Sequence, residues 1–158
     1  MKKQKAPFTL VEVLVTIAII VILAGILIGG IGFATRRADE AKTFAQLETV
    51  AAAIEAFRAD RGYYPQTNGA DMVVTITRDG DDVYLDAEKK VALFNRKTKI
   101  PYLKGTSGEL LDAWGNPLLF RCPGTHNPAA YDLWSRGPDG NAANTSDDDI
   151  GNWNNANK

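Results

Sequence analysis

Four aspartates near the C-terminus, Asp139, Asp147, Asp148 and Asp149, are the residues best suited to hold a metal ion. No basic residue lies between Gly137 and Asn157. Three carboxylates in a row repel one another, so a loop that gathers them gains from a cation. Carboxylates, amides and backbone carbonyls are hard donors, and Ca²⁺ takes about 6–8 such oxygens. The spacing lacks the Asp-x-Asp-x-Asp-Gly register and closing Glu of an EF-hand. On spacing alone a calcium site and a solvated acidic loop are equal readings. Ser135, Asn141, Asn144 and Thr145 are further oxygen donors nearby.

A fifth carboxylate, Glu12, sits at the edge of a run that is otherwise uncharged from Val13 to Thr35. A carboxylate in such a place is costly in lipid, so its presence points to a function. The other reactive side chains give weaker signals. His126 is the only histidine and Cys122 the only cysteine. They lie four residues apart, whereas catalytic Cys–His pairs are normally brought together from distant sequence. No phosphate loop, zinc-ligand spacing or nucleophile elbow is present. His126 therefore reads as a loop residue and Cys122 as a buried strand residue. Trp114, Trp134 and Trp153 read as packing residues rather than a carbohydrate-binding surface.

The elements that position these residues follow from charge and periodicity. The 158 residues are 45% hydrophobic, enough for one domain, but charge is unevenly placed. Met1 to Pro7 carries Lys2, Lys3 and Lys5 and no acid, while the chain from Ala34 onward has 15 basic and 18 acidic residues. The near-neutral total is a cancellation and offers no basic face for nucleic acid. The 23 uncharged residues from Val13 to Thr35 would span about 35 Å as a helix, enough to cross a bilayer core. The run is too long for a secretory signal peptide. Lysines before it place the N-terminus in the cytoplasm, with Arg36 and Arg37 as an opposing vote.

The helix is expected to continue to Gly62, with an apolar stripe at Phe44, Leu47, Ala51, Ile54 and Phe57 or Arg58. Beyond it, "MVVTIT" reads as a strand and Asp79-Gly80 as a turn into a second one. "AEKKVALFNRK" reads as a short helix and 105–108 as a loop. "PLLFRCP" and "AAYDLWSR" read as a hairpin joined by "GTHNPA". The expected fold class is α+β, one long helix whose C-terminal half packs on a small antiparallel sheet.

The lysine-rich leader followed by "FTLVEVLVTIAIIVILAGILI" resembles the N-terminus of type IV pilins and type II secretion pseudopilins. "DAWGNPLLFRCPG" and "YDLWSRGPDG…DDDIGNWN" resemble the turn and C-terminal segment of the major pseudopilins, the general secretion pathway protein G family. "RGYYPQTNG" echoes that family's stretch after the long helix, whereas 69–107 has no convincing counterpart. The resemblance implies a prepilin leader at 1–7 and an assembly and transmembrane helix at 8–35. It implies a periplasmic globular domain at 36–158 that includes the amphipathic helix 36–61.

It also implies that a prepilin peptidase cuts between Pro7 and Phe8 and that the new amine is methylated. Glu12, fifth in the mature chain, would face the amine of a neighbouring Phe8 and set assembly register. Pro7 departs from the family's Gly, which leaves efficient cleavage, slow cleavage, a divergent peptidase or retention of the leader open. The family binds Ca²⁺ in the C-terminal loop, which carries over to Asp139, some of Asp147, Asp148 and Asp149, and the backbone carbonyl of Arg136. The implied function is a non-enzymatic subunit of the type II secretion pseudopilus. It would sit in the bacterial inner membrane with its N-terminus cytoplasmic. Its partners would be copies of itself, minor pseudopilins and the inner-membrane secretion platform. A type IV pilin for adhesion, motility or DNA uptake is the alternative in the same class. A membrane-anchored periplasmic enzyme is the alternative in another.

Overall fold

The computed structural model describes residues 9–79, 82–86, 88, 91–104, 107–141 and 148–153, with the side chains of 27–31 excepted. The chain forms two compact units, Met1–Ala38 and Asp39–Lys158. One helix, α1, runs from Leu10 to Arg61. Its sequence has no proline, and Ala, Leu, Glu and Arg favour helix throughout its second half. It ends at Gly62, whose φ of +81° suits a residue without Cβ. The Gly62 N–H donates to the Arg58 carbonyl at 2.7 Å, which closes the last turn.

In the first unit the apolar side chains are exposed on all faces of α1. Leu10 (80% exposed), Ile26 (69%) and Phe33 (66%) are among them. Among the described residues no helix is long and apolar enough to cross a membrane. Phe33 lies beyond the side chains of 27–31 and is exposed as well, and the uncharged run continues in the sequence to Thr35.

In the second unit α1 buries Thr43, Leu47, Val50, Ala53, Ile54 and Phe57. This stripe is turned slightly from the expected one: Phe44 and Ala51 lie at its flanks, half-buried, and Arg58 is exposed. Val50 and Ala53 are the buried positions absent from the expected stripe.

Two antiparallel sheets form instead of the single sheet expected. Strands β1 (Met72–Val73), β5 (Leu119–Arg121), β6 (Asp132–Ser135) and β7 (Ile150–Gly151) make the first, in the order β1-β5-β6-β7. Strands β2 (Thr75–Asp79), β3 (Asp82–Tyr84) and β4 (Gly108–Glu109) make the second, in the order β3-β2-β4. "MVVTIT" is thus split at Val74 between the two sheets, and Val74 itself is fully buried. The expected hairpin from "PLLFRCP" to "AAYDLWSR" is present, with Leu119 opposite Trp134 and Arg121 opposite Asp132. Leu118, Phe120 and Leu133 join Ile54, Val50 and Leu47 in the core.

The short helix expected in "AEKKVALFNRK" is not formed among the described residues. Ala92 bridges Tyr84, and Phe94 bridges Pro101, so this stretch extends the second sheet. Val91, Leu93 and Phe94 are buried there. Pairing with the flanking segments overrode helix propensity. Asp60 at the end of α1 ties this region down, accepting from the Arg96 N–H (3.2 Å) and the Asn95 amide (3.3 Å). The Arg96 N–H is also the main reason the Asp60 carboxyl sits below its ordinary range. Gly108, expected in a loop, lies in β4 opposite Ile76.

Candidate functional site

At the start of α1, Thr9 and Glu12 bond reciprocally. The Glu12 Oε2 accepts from the Thr9 N–H (3.0 Å) and the Thr9 hydroxyl (3.1 Å), and the Glu12 N–H donates to Thr9 Oγ1 (3.3 Å). This is a capping box, the Thr-x-x-Glu pattern that satisfies orphan donors at a helix N-terminus. Thr9 is the residue the sequence reading missed here, although the Thr9-Leu10-Val11-Glu12 spacing carried the signal. Pro7 and Phe8 lie outside the described residues.

The second candidate site is the C-terminal loop. Asp139 and Asp148 meet: the Asp139 N–H donates to Asp148 Oδ2 at 3.3 Å. Asp139 Oδ1 accepts from the Asn141 N–H at 2.8 Å, which makes the expected tight turn. Asp149 is buried (7% exposed) just before β7. Asp147, Asn144 and Thr145 lie outside the described residues. The loop closes tightly at Gly137, where φ is +65° and a Cβ would collide with the Asp148 carbonyl oxygen. The Asp148 Oδ2 would stand 3.1 Å from that Cβ. Side chains and carbonyls here offer only oxygen donors. Among the described residues no three His, Cys, Asp or Glu side chains form a metal-holding group.

The loop rests on the turn 112–116. The buried Asp112 accepts from the N–H groups of Trp114 (2.9 Å) and Asn116 (2.8 Å) through Oδ1. Its Oδ2 accepts from the Ser135 hydroxyl at 2.6 Å. Ser135 Oγ in turn accepts from the Gly137 N–H at 3.0 Å. The Asn116 amide donates to the Gly137 carbonyl at 2.8 Å. The turn is itself pinned to α1, because the Ala113 N–H donates to the hydroxyl of the buried Thr43 at 3.1 Å. Ser135, weighed above as a cation donor, has its hydroxyl committed to Asp112 and Gly137.

His126 and Cys122 lie at the other end of β6. His126 stacks on Trp153, with ring centroids 4.0 Å apart and planes 8° from parallel. Its Nδ1 stands 3.4 Å from the Asp132 carboxylate. Trp153 also leans on the buried Trp134 at 6.0 Å. Asn152 mimics a strand partner: its Oδ1 accepts from the Leu133 N–H (3.1 Å) and its Nδ2 donates to the Tyr131 carbonyl (3.0 Å). Cys122 is buried and free, and burial pushes its thiol up from the ordinary value despite the Gln66 amide at 3.3 Å. A buried thiol held protonated is a poor nucleophile.

A long N-terminal helix whose second half packs on short antiparallel sheets, closed by an anchored C-terminal loop, defines the type IV pilin-like fold. The crystal structure of the major pseudopilin from the type 2 secretion system of enterohaemorrhagic Escherichia coli shares this fold. Its TM-score is 0.50 at 24% identity, covering 77% of this chain and 91% of that one. The model of type II secretion system protein G matches residues 32–153, and that of the prokaryotic N-terminal methylation motif matches 1–32. The type II secretion system core protein G of Pseudomonas aeruginosa is 33% identical, over 98% of this chain and 99% of its own length. That of Escherichia coli K12 is 32% identical, over 96% and 92%. The chain belongs to the type II secretion system protein G family and is a structural subunit of the pseudopilus.

Proposed function

We propose that this chain polymerises through its N-terminal helix into a periplasmic filament, lengthened by subunit addition at the inner membrane to push secreted proteins outward. The observation that carries the reading is the first part of α1. It exposes large apolar side chains from Leu10 to Ile26 on every face, with Glu12 its only charge. Such a helix is at home in lipid or among copies of itself. The uncharged run to Thr35 supports a single crossing with the N-terminus in the cytoplasm and the second unit in the periplasm. Prepilin peptidase, minor pseudopilins and the inner-membrane platform are the partners this reading requires. Assembly through Glu12 needs a free amine at Phe8, so the leader must be removed. Intact-mass analysis of the chain from the membrane is expected to find it starting at Phe8, with or without one added methyl group. A chain that keeps Met1 would overturn the assembly reading.

The C-terminal loop is the proposed Ca²⁺ site, held by Asp139, Asp148 and Asp149 with the Arg136 carbonyl, and with Asp147 as a further donor. The all-oxygen donor set and the closure of Gly137 on Asp148 fit a hard cation that accepts backbone carbonyls. Bound Ca²⁺ would neutralise the carboxylates and staple a segment that no disulfide can tie, since Cys122 is the only cysteine. Calcium at about 100 times its dissociation constant is expected to stabilise the domain by roughly 2.7 kcal/mol. A thermal melt with and without millimolar CaCl₂ checks this. The shift should vanish in Asp139→Ala; no shift in the wild type would remove the site.

A further inference from the structure

We infer that the turn 112–116 is the positioning device for the calcium loop, with Asp112, Ser135 and Asn116 acting on the backbone at Gly137. The inference rests on the calcium reading above and names no additional ligand. Three observations carry it. The two peptide units that flank Gly137 are each held: Ser135 Oγ takes the Gly137 N–H at 3.0 Å and the Asn116 amide donates to the Gly137 carbonyl at 2.8 Å. Fixing the Gly137 N–H also fixes the peptide plane whose carbonyl belongs to Arg136, a proposed cation donor. Ser135 is fully buried, and its hydroxyl is oriented by the 2.6 Å bond to the buried Asp112, so the hold is preset before any cation arrives.

Asn116 also limits the loop from outside. A Cβ at Gly140, where φ is +62°, would stand 2.9 Å from Asn116 Oδ1, so the turn contacts the loop on both flanks of Asp139. Thr43 continues the chain of bonds to α1 through the Ala113 N–H. The loop is therefore braced, through one five-residue turn, on the part of α1 that lies in the second unit. Groups that orient metal donors without touching the metal typically change affinity by about 10–100-fold when removed.

The test uses the full chain in detergent with CaCl₂ as the only added ligand. Calcium affinity is measured by titration calorimetry, and melting temperature is measured with and without Ca²⁺. Ser135→Ala and Asn116→Ala are each expected to weaken calcium binding by about tenfold or more. Each should also shrink the gap between the calcium-loaded and calcium-free melting temperatures. A merely structural role would lower both melting temperatures equally and leave the affinity within twofold; that result overturns the inference and leaves the calcium site standing. Absence of binding by the wild type overturns the calcium site and the inference together. Asn116 is only half-buried, so its variant decides the question if Ser135→Ala does not fold.

Discussion

Asp132→Ala is expected to destabilise the domain by roughly 2–4 kcal/mol. The Asp132 carboxylate is almost fully buried. It accepts from the N–H groups of Thr125 (2.6 Å), His126 (2.8 Å) and Asn127 (3.0 Å), and from the Asn127 amide (3.1 Å). One side chain thus satisfies three consecutive N–H groups in the connection between β5 and β6. Removing it orphans donors whose desolvation costs about 1–3 kcal/mol each where water cannot reach. Thr125 and His126 are exposed, so water recovers part of that cost. Asp132→Asn should do nearly as badly, because its amide nitrogen would face N–H donors in place of one oxygen. A fall in melting temperature of about 10 °C is the expected reading in both variants. Melting of Asp132→Asn with the wild type would show that the connection is held by its other contacts.

The physical kinds of signal explain which parts of the molecule were legible in the sequence. Long-period signals carried well: the uncharged run after Glu12, the amphipathic half of α1 and the β5–β6 hairpin all depend on local pattern. The second sheet did not, because "AEKKVALFNRK" has helix-forming composition and is extended by bonds to flanking segments, such as those of Leu93 with Val83 and Tyr102. No motif of the family is recognisable by eye in 69–107, although the family model spans these residues, so nothing offset local propensity there. At the C-terminal loop the acids were visible, and so was the turn motif "DAWGN". Their connection was not, because it is made by hydroxyl and amide groups 21–23 residues apart. His126, expected as a loop residue, lies in the connection between β5 and β6. Its stacking on Trp153 follows from β6 and β7 pairing, which places the C-terminal segment beside the β5–β6 connection. Asp132 left no mark beyond being a charged residue in an apolar strand.

Glu12→Gln is expected to abolish filament assembly while leaving membrane insertion and helix formation intact. Glu12 has two separable jobs, one within the subunit and one in the proposed assembly. Within one subunit its carboxylate caps α1 against Thr9. In the proposed filament its charge meets the amine of a neighbour's Phe8. Glutamine serves in a capping box nearly as well as glutamate, since its oxygen still accepts the N-cap N–H. It carries no charge, however, and an ammonium brought into lipid against it stays uncompensated. If capping were the whole role, Glu12→Gln would assemble like the wild type and only Glu12→Ala would fail. If charge pairing sets register, both fail alike, as measured by sheared or cross-linked filaments from cells with equal subunit levels. The same pair of variants also bears on Pro7. Without leader removal there is no amine at Phe8 for Glu12 to meet, and the Gln variant would then lose nothing relative to the wild type. A Pro7→Gly background, in which the cut follows the family's usual residue, should therefore leave the Gln defect at full size whatever the wild-type cleavage efficiency.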